Sequence, residues 1–95
     1  MVPANWSLGR FAEPAMWVLI VLDEGPRPIV SMLDAVRRLD GPIGPGTLLG
    51  AVARLERLAL VESADDMEIG RRAYRLTDLG RTAAGSAGRL KGLPA

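Results

Sequence analysis

The apolar positions of the chain fall into segments separated by Gly and Pro, and their spacing changes from helical to strand-like near residue 60. Residues 15–22 are apolar without a break. Pro14 suits a first helical position, where its missing N–H is no loss, and Gly25-Pro26 ends the segment. The pattern predicts a first helix over 15–23, placed centrally because it is apolar almost all round. Val18, Ile20 and Val21 would also suit a buried strand; the helices that follow favour the helical reading. Pro28 opens a second helix, with Ile29, Met32, Leu33, Val36 and Leu39 on one face and Asp34, Arg37 and Arg38 on the other. It closes near Asp40-Gly41-Pro42. A third helix is predicted over 45–58 with Pro45 in its first turn. Its inner face is Leu48, Val52, Leu55 and Ala59, and its outer face is Thr47, Gly50, Ala53, Arg54 and Arg57.

After that the period becomes two. Residues 60–63 and 73–76 read as antiparallel strands, with Tyr74 and Leu76 on one face and Ala73 and Arg75 on the other. The polar stretch 64–72 joins them, with Gly70 as its turn residue. Thr77 is placed to cap a last helix, and Asp78 sits in its first turn. Leu79, Ala83, Ala87 and Leu90 form its thin apolar stripe. Gly80, Gly85 and Gly88 each cost about 1 kcal/mol relative to Ala, so this helix needs a partner surface. Gly80, Ala84 and Gly88, four apart, would allow a close helix–helix approach, and chance explains them equally well in so Ala- and Gly-rich a segment. Residues 1–12 read as an arm, anchored by burial of Trp6 and Phe11. Structural packing is the expectation for both Trp6 and Trp17; a dimer face or a ligand cavity is the other reading for Trp6. The order is three helices, a strand, a hairpin loop, a strand and a helix. That is a mainly α chain with a small β-hairpin, as in a winged helix-turn-helix.

Composition narrows the work such a domain can do. Cys and His are both absent, and Lys91 is the single lysine. Disulfides, thiolate metal sites, the commonest metal ligand and the commonest general base are thereby excluded. The remaining carboxylates, Ser and Thr are scattered with no base beside them, so the expectation is a binding protein, not an enzyme, with no cofactor and no metal. Three glycines in 41–46 suggest a phosphate cradle, but no Gly-Lys-Ser/Thr follows, and the P-loop reading fails. Asp65, Asp66 and Glu68 do not have EF-hand spacing and read as a solvated loop tip. The longest apolar run is eight residues, against about 20 for a membrane span. Arg10 precedes it, yet Asp23 and Glu24 follow with no cleavage site, so a cytoplasmic protein is expected rather than a signal peptide.

Charge adds a direction. The net charge is +1. Residues 69–95 hold six basic residues and one acidic, a net of +5, while residues 1–68 hold six basic and ten acidic, a net of −4. Basic residues on the wing would neutralise phosphates, the sequence-independent part of affinity for nucleic acid; a solvated basic tail on an acidic body accounts for the split equally well.

Two strings carry a family resemblance. Leu55-Glu56-Arg57-Leu58-Ala59-Leu60-Val61-Glu62 resembles the helix-to-strand junction of winged-helix regulators. Gly70-Arg71-Arg72-Ala73-Tyr74-Arg75-Leu76-Thr77-Asp78-Leu79-Gly80-Arg81 resembles the wing and wing exit of the PadR family of bacterial transcriptional regulators. Leu22-Asp23-Glu24-Gly25-Pro26-Arg27 and Gly44-Pro45-Gly46-Thr47-Leu48 are similar to that family's pattern in order and spacing, and the likeness covers about residues 14–84. The resemblance implies a homodimeric repressor that binds double-stranded DNA and is often released by a small-molecule effector. It implies an arm over 1–12, a winged-helix domain over 13–84, and a C-terminal helix and Gly-rich tail over 77–95 as candidate dimerisation element. Helix 45–58 would enter the major groove through Thr47, Gly50, Ala53, Arg54 and Arg57. Arg54 would pair with the O6 and N7 of a guanine, a surface ion pair with Asp40 or a neighbour's Glu56 being the alternative. Thr47 would cap the helix or meet a phosphate. The wing, 64–72, would lie on the backbone, with Arg71, Arg72 and Arg75 near phosphate or the minor groove.

The chain departs from the family where His-Gly-Tyr is replaced by Pro28-Ile29-Val30, where a Tyr is replaced by Leu49, and where a Gly is replaced by Ala59, which then bears any left-handed geometry. The family's apolar C-terminal helix is also longer. A winged helix that has become a protein-interaction module without DNA binding is the alternative function.

Overall fold

The structure, a computed structural model, describes residues 12–39, 41, 43–67, 70–90 and 92. Its elements are α1 (Ala12–Leu22), α2 (Ile29–Arg38), α3 (Pro45–Arg57), β1 (Val61–Asp66), β2 (Arg71–Leu76) and α4 (Asp78–Leu90), the order expected from the periodicity. The arm's Trp6 and Phe11 lie outside the described residues.

Helix α1 begins three residues before the expected 15, so Pro14 is its third residue and not its first. The first four N–H groups of a helix have no internal partner, so proline is as well accommodated there as at the first position. Ala15, Trp17, Val18, Leu19, Val21 and Leu22 are all buried, and Met16 and Ile20 pack against the core half-buried. α1 therefore touches α2, α3 and α4, which explains why its sequence shows no polar face. From α2 the core receives Met32, Ala35 and Val36, and from α3 it receives Leu48, Ala51, Val52 and Leu55. Leu39, expected on the inner face of α2, is instead its exposed C-terminal cap.

β1 and β2 are antiparallel, pairing Val61 with Leu76 at the base and Asp66 with Arg71 near the tip. Both strands are longer than expected, so the connection is shorter than 64–72; Gly70 makes its turn at φ +78°. Ala73 is buried although alternation puts it on the face of exposed Arg75. Its strand is flanked on both edges, because Arg27 forms an antiparallel bridge with Tyr74 on the side away from β1. The Arg27 N–H donates to the Tyr74 carbonyl at 3.0 Å, and the Tyr74 N–H donates back at 2.8 Å. The Arg27 side chain fastens the same segment by donating to the Val21 carbonyl, the Ser31 hydroxyl and the Glu24 carboxylate.

The junction after α3 is a Schellman turn. The Leu60 N–H donates to the Leu55 carbonyl and the Ala59 N–H to the Glu56 carbonyl, both at 3.0 Å. Leu55 and Leu60 are both buried, giving the apolar contact that accompanies this motif. Ala59 has φ +59°, the left-handed geometry that the departure from Gly requires. Ala59 is therefore exposed at the turn and not part of the inner face of α3. An Ala in this region costs about 1–2 kcal/mol against its right-handed form. Ala59→Gly is expected to raise stability by about 0.5–1 kcal/mol, the strain relieved less the added freedom of the unfolded chain, read as a higher urea midpoint at unchanged m-value.

Thr77 caps α4 as expected: its hydroxyl accepts the Gly80 N–H at 3.0 Å and donates to the Ala59 carbonyl at 2.7 Å. The buried face of α4 is Gly80, Ala83, Ala84, Ser86 and Ala87. Leu79 and Leu90, expected on the apolar stripe, are exposed. The small residues serve the approach to α1 and to the Leu60 backbone, so α4 lies too close for a leucine on its inner side.

Candidate nucleic-acid interface

Helix α3 starts at Pro45 after the extended residue Gly44, which makes no side-chain cap bond. Thr47 is the third helical residue and is exposed, so the capping role suggested for it is not taken. Because Leu48, Ala51, Val52 and Leu55 turn inward, the helical period sends Thr47, Gly50, Ala53, Arg54 and Arg57 outward together. Thr47, Ala53 and Arg57 are exposed; Gly50 and Arg54 are half-buried. The face read from the sequence is thus present as one continuous surface. Asp40, the suggested ion-pair partner of Arg54, lies outside the described residues.

The hairpin sets the wing arginines opposite its own acids, which the linear charge count conceals, and strand alternation puts Arg72 on the other face from Arg71 and Arg75. The register sets Glu62 opposite Arg75, Asp65 opposite Arg72 and Asp66 opposite Arg71. Arg75 donates to Glu62 at 2.8 Å, an ion pair with both side chains about half exposed. Arg72 donates to the Ser63 hydroxyl at 2.8 Å. The Arg71 side chain is outside what is described. Directly opposed charges on a sheet face attract across the strands. A division at residue 68 cuts this hairpin in two. Taken whole, residues 61–76 hold three arginines against four acids, a net of −1. The +5 assigned to the wing and tail therefore does not describe the wing as a folded unit.

A feature not foreseen in the sequence lies between the wing and α2. Pro28, Ile29, Val30, Arg72 and Tyr74 line an open groove of about 400 Å³. The Arg27–Tyr74 bridge creates it by holding β2 against the start of α2. No local pattern announces a contact between segments so far apart in the chain. Val30, 68% exposed, stands on its rim, and Leu49 on α3 is 52% exposed. Both are aliphatic residues held in solvent at the positions where the resembling family carries tyrosines. Tyr74 packs half-buried on the core, and Trp17 is within it, the structural packing expected for that residue.

Among the described residues no helix is long and apolar enough to cross a membrane. Neither a protein-family model nor a curated protein matches the sequence. Solved structures do resemble it. SSV1 F-93 aligns over 84% of this chain and 86% of its own, at 18% identity and a TM-score of 0.72. A transcriptional regulator from Clostridium thermocellum, Cth-833, aligns over 97% of this chain and 89% of its own, at 23% identity and a TM-score of 0.68. At these identities the likeness is one of fold, and with three helices, a hairpin and a fourth helix the chain has a winged-helix fold.

Proposed function

We propose that the chain is a DNA-binding transcriptional regulator of PadR-like, repressor type, acting in the cytoplasm as a homodimer on double-stranded DNA. The observation that carries this reading is the outer face of α3, where Thr47, Gly50, Ala53, Arg54 and Arg57 stand together opposite the buried Leu48, Ala51, Val52 and Leu55. A structural neighbour described as a transcriptional regulator supports it. In this reading α3 enters the major groove, with Arg54 at a guanine edge, and Arg71, Arg72 and Arg75 face the backbone. Residues 77–95 supply the dimer contact, which the exposed Leu79 and Leu90 of α4 support. A small ligand releases the DNA. No catalytic step belongs to this reading. The second reading, a protein-interaction module, is favoured by the paired charges of the wing and by exposed Val30 and Leu49.

Fluorescence anisotropy with a duplex from the protein's own promoter region, over a salt series, separates the two. Binding at low salt that weakens steeply with salt is expected for the regulator; absence of binding at low salt leaves the interaction module. Within the regulator reading the wing acids set the slope. Arg72→Ala is expected to reduce the log–log salt slope by about 1, one phosphate contact. Glu62→Gln, which frees Arg75 from its ion pair, is expected to steepen it by about the same amount and to tighten binding at low salt. Its effect on stability should stay below about 1 kcal/mol, since the pair is exposed. Unchanged slopes in both variants would take the wing out of the interface.

A further inference from the structure

The outer surface of α3 consists of two adjacent rows. Leu49, Ala53 and Arg57 follow one another at a spacing of four, and Gly46, Gly50 and Arg54 do the same beside them. Over its first nine residues this surface offers a single hydrogen-bonding side chain, Thr47. At Gly46 internal packing does not account for that choice. A Cβ added at Gly46 would meet nothing within 4 Å, so the fold has room for a side chain there. Leu49 is 52% exposed while the next-door Leu48 is 1% exposed and fills the core. The helix thus presents a narrow leading surface, apolar in one row and bare backbone in the other, with Arg54 and Arg57 at its far end.

A helix with its side chains is about 10–12 Å across, and the major groove is about 12 Å wide. Glycines in the leading row let the axis sit deeper. Along the groove floor the 5-methyl of thymine is the one methyl group, and it is the largest apolar group a base edge offers there. Arg54 and Arg57, set against the one exposed acid of the helix, Glu56, leave the far end of this face net positive, which suits a phosphate-lined groove better than an apolar groove on a protein.

We propose that Leu49 and Ala53 read thymine through its 5-methyl group, so that the preferred duplex carries thymine at the positions beneath them. This rests on the regulator reading and assigns the part of sequence preference that Arg54 does not supply. Leu49 is then a specificity-determining residue, in van der Waals contact with the base and with no hydrogen bond to it.

The test uses the full chain. A random-sequence duplex library is enriched on the protein at low salt, and the recovered site is resynthesised with deoxyuridine in place of each thymine in turn, which removes the methyl and nothing else. Loss of about fourfold in affinity at the methyl facing Leu49 is expected, the worth of one buried methyl-sized group. In Leu49→Ala, whose helical content is checked by circular dichroism, the thymine-to-deoxyuridine ratio at that position should fall close to one while the other positions keep theirs. An enriched duplex that binds equally well with thymine or deoxyuridine throughout overturns this proposal and leaves the regulator reading intact. So does a ratio that Leu49→Ala does not change. Failure to enrich any duplex overturns the regulator reading and this one with it.

Discussion

Gly80→Ala is expected to destabilise the domain by about 3 kcal/mol, lowering Tm by well over 10 °C, although the substitution exchanges the poorer helix former for the best one. The new Cβ would collide with the Leu60 carbonyl oxygen and stand 3.0 Å from its carbon and 3.3 Å from Leu76 Cβ. Two of those three obstacles are backbone, so no rotamer change clears them. The crowding is the reverse side of a bonded knot. The same Leu60 carbonyl accepts the Thr77 N–H at 3.1 Å, and the Thr77 hydroxyl spans the Ala59 carbonyl and the Gly80 N–H. Moving α4 away far enough to admit a methyl group strains all three bonds and withdraws Ala83, Ala84 and Ala87 from the core. Gly88→Ala is the control. A Cβ there meets nothing within 4 Å, and ordinary helix propensity should win, raising stability by up to about 1 kcal/mol. Urea unfolding of the two variants side by side checks both signs; equal effects would mean that α4 does not lie against the Leu60 turn.

Leu19→Ala carries the second large effect, an expected loss of about 3–5 kcal/mol. Leu19 is fully buried on the helix that touches the other three, so no single neighbour can settle into the cavity. A 95-residue domain has a total stability on the order of 5–14 kcal/mol, so this one change removes a large part of it. The half-buried Ile20 on the same helix serves as comparison, and its truncation should cost clearly less. A loss below about 1 kcal/mol for Leu19→Ala would show that α1 is not the centre of the core.

How far the sequence reveals this molecule differs from element to element. Helices α2 and α3 were legible almost to the residue because an amphipathic period and a proline at the entrance are both local signals. Ala59 was legible through a missing glycine: the turn demands a left-handed residue whichever side chain is present. Thr77 was legible because a cap acts over three residues. What was hidden is long-range. Leu79 and Leu90 look like core residues on a helical wheel, but how closely α4 approaches is decided by Gly80 against Leu60, and that leaves them outside. The pairing of the wing charges is hidden for the same reason. A count along the chain divided at residue 68 places Glu62 and Arg75 on different sides, whereas pairing puts them 2.8 Å apart. The outer face of α3 followed directly from its period; the groove between β2 and α2 did not, since it depends on the Arg27–Tyr74 bridge.

That bridge also fixes how the wing can move. Its two hydrogen bonds join residues 47 positions apart, one in the link between α1 and α2 and one in the middle of β2. The amides of Arg27 and Tyr74 are therefore expected to exchange with solvent together, in a single opening event, and more slowly than amides of the hairpin's free end. A hairpin tied at mid-length is hindered from swinging about its base like a flap, since Arg27 holds Tyr74 through its backbone and Ser31 of α2 through its side chain.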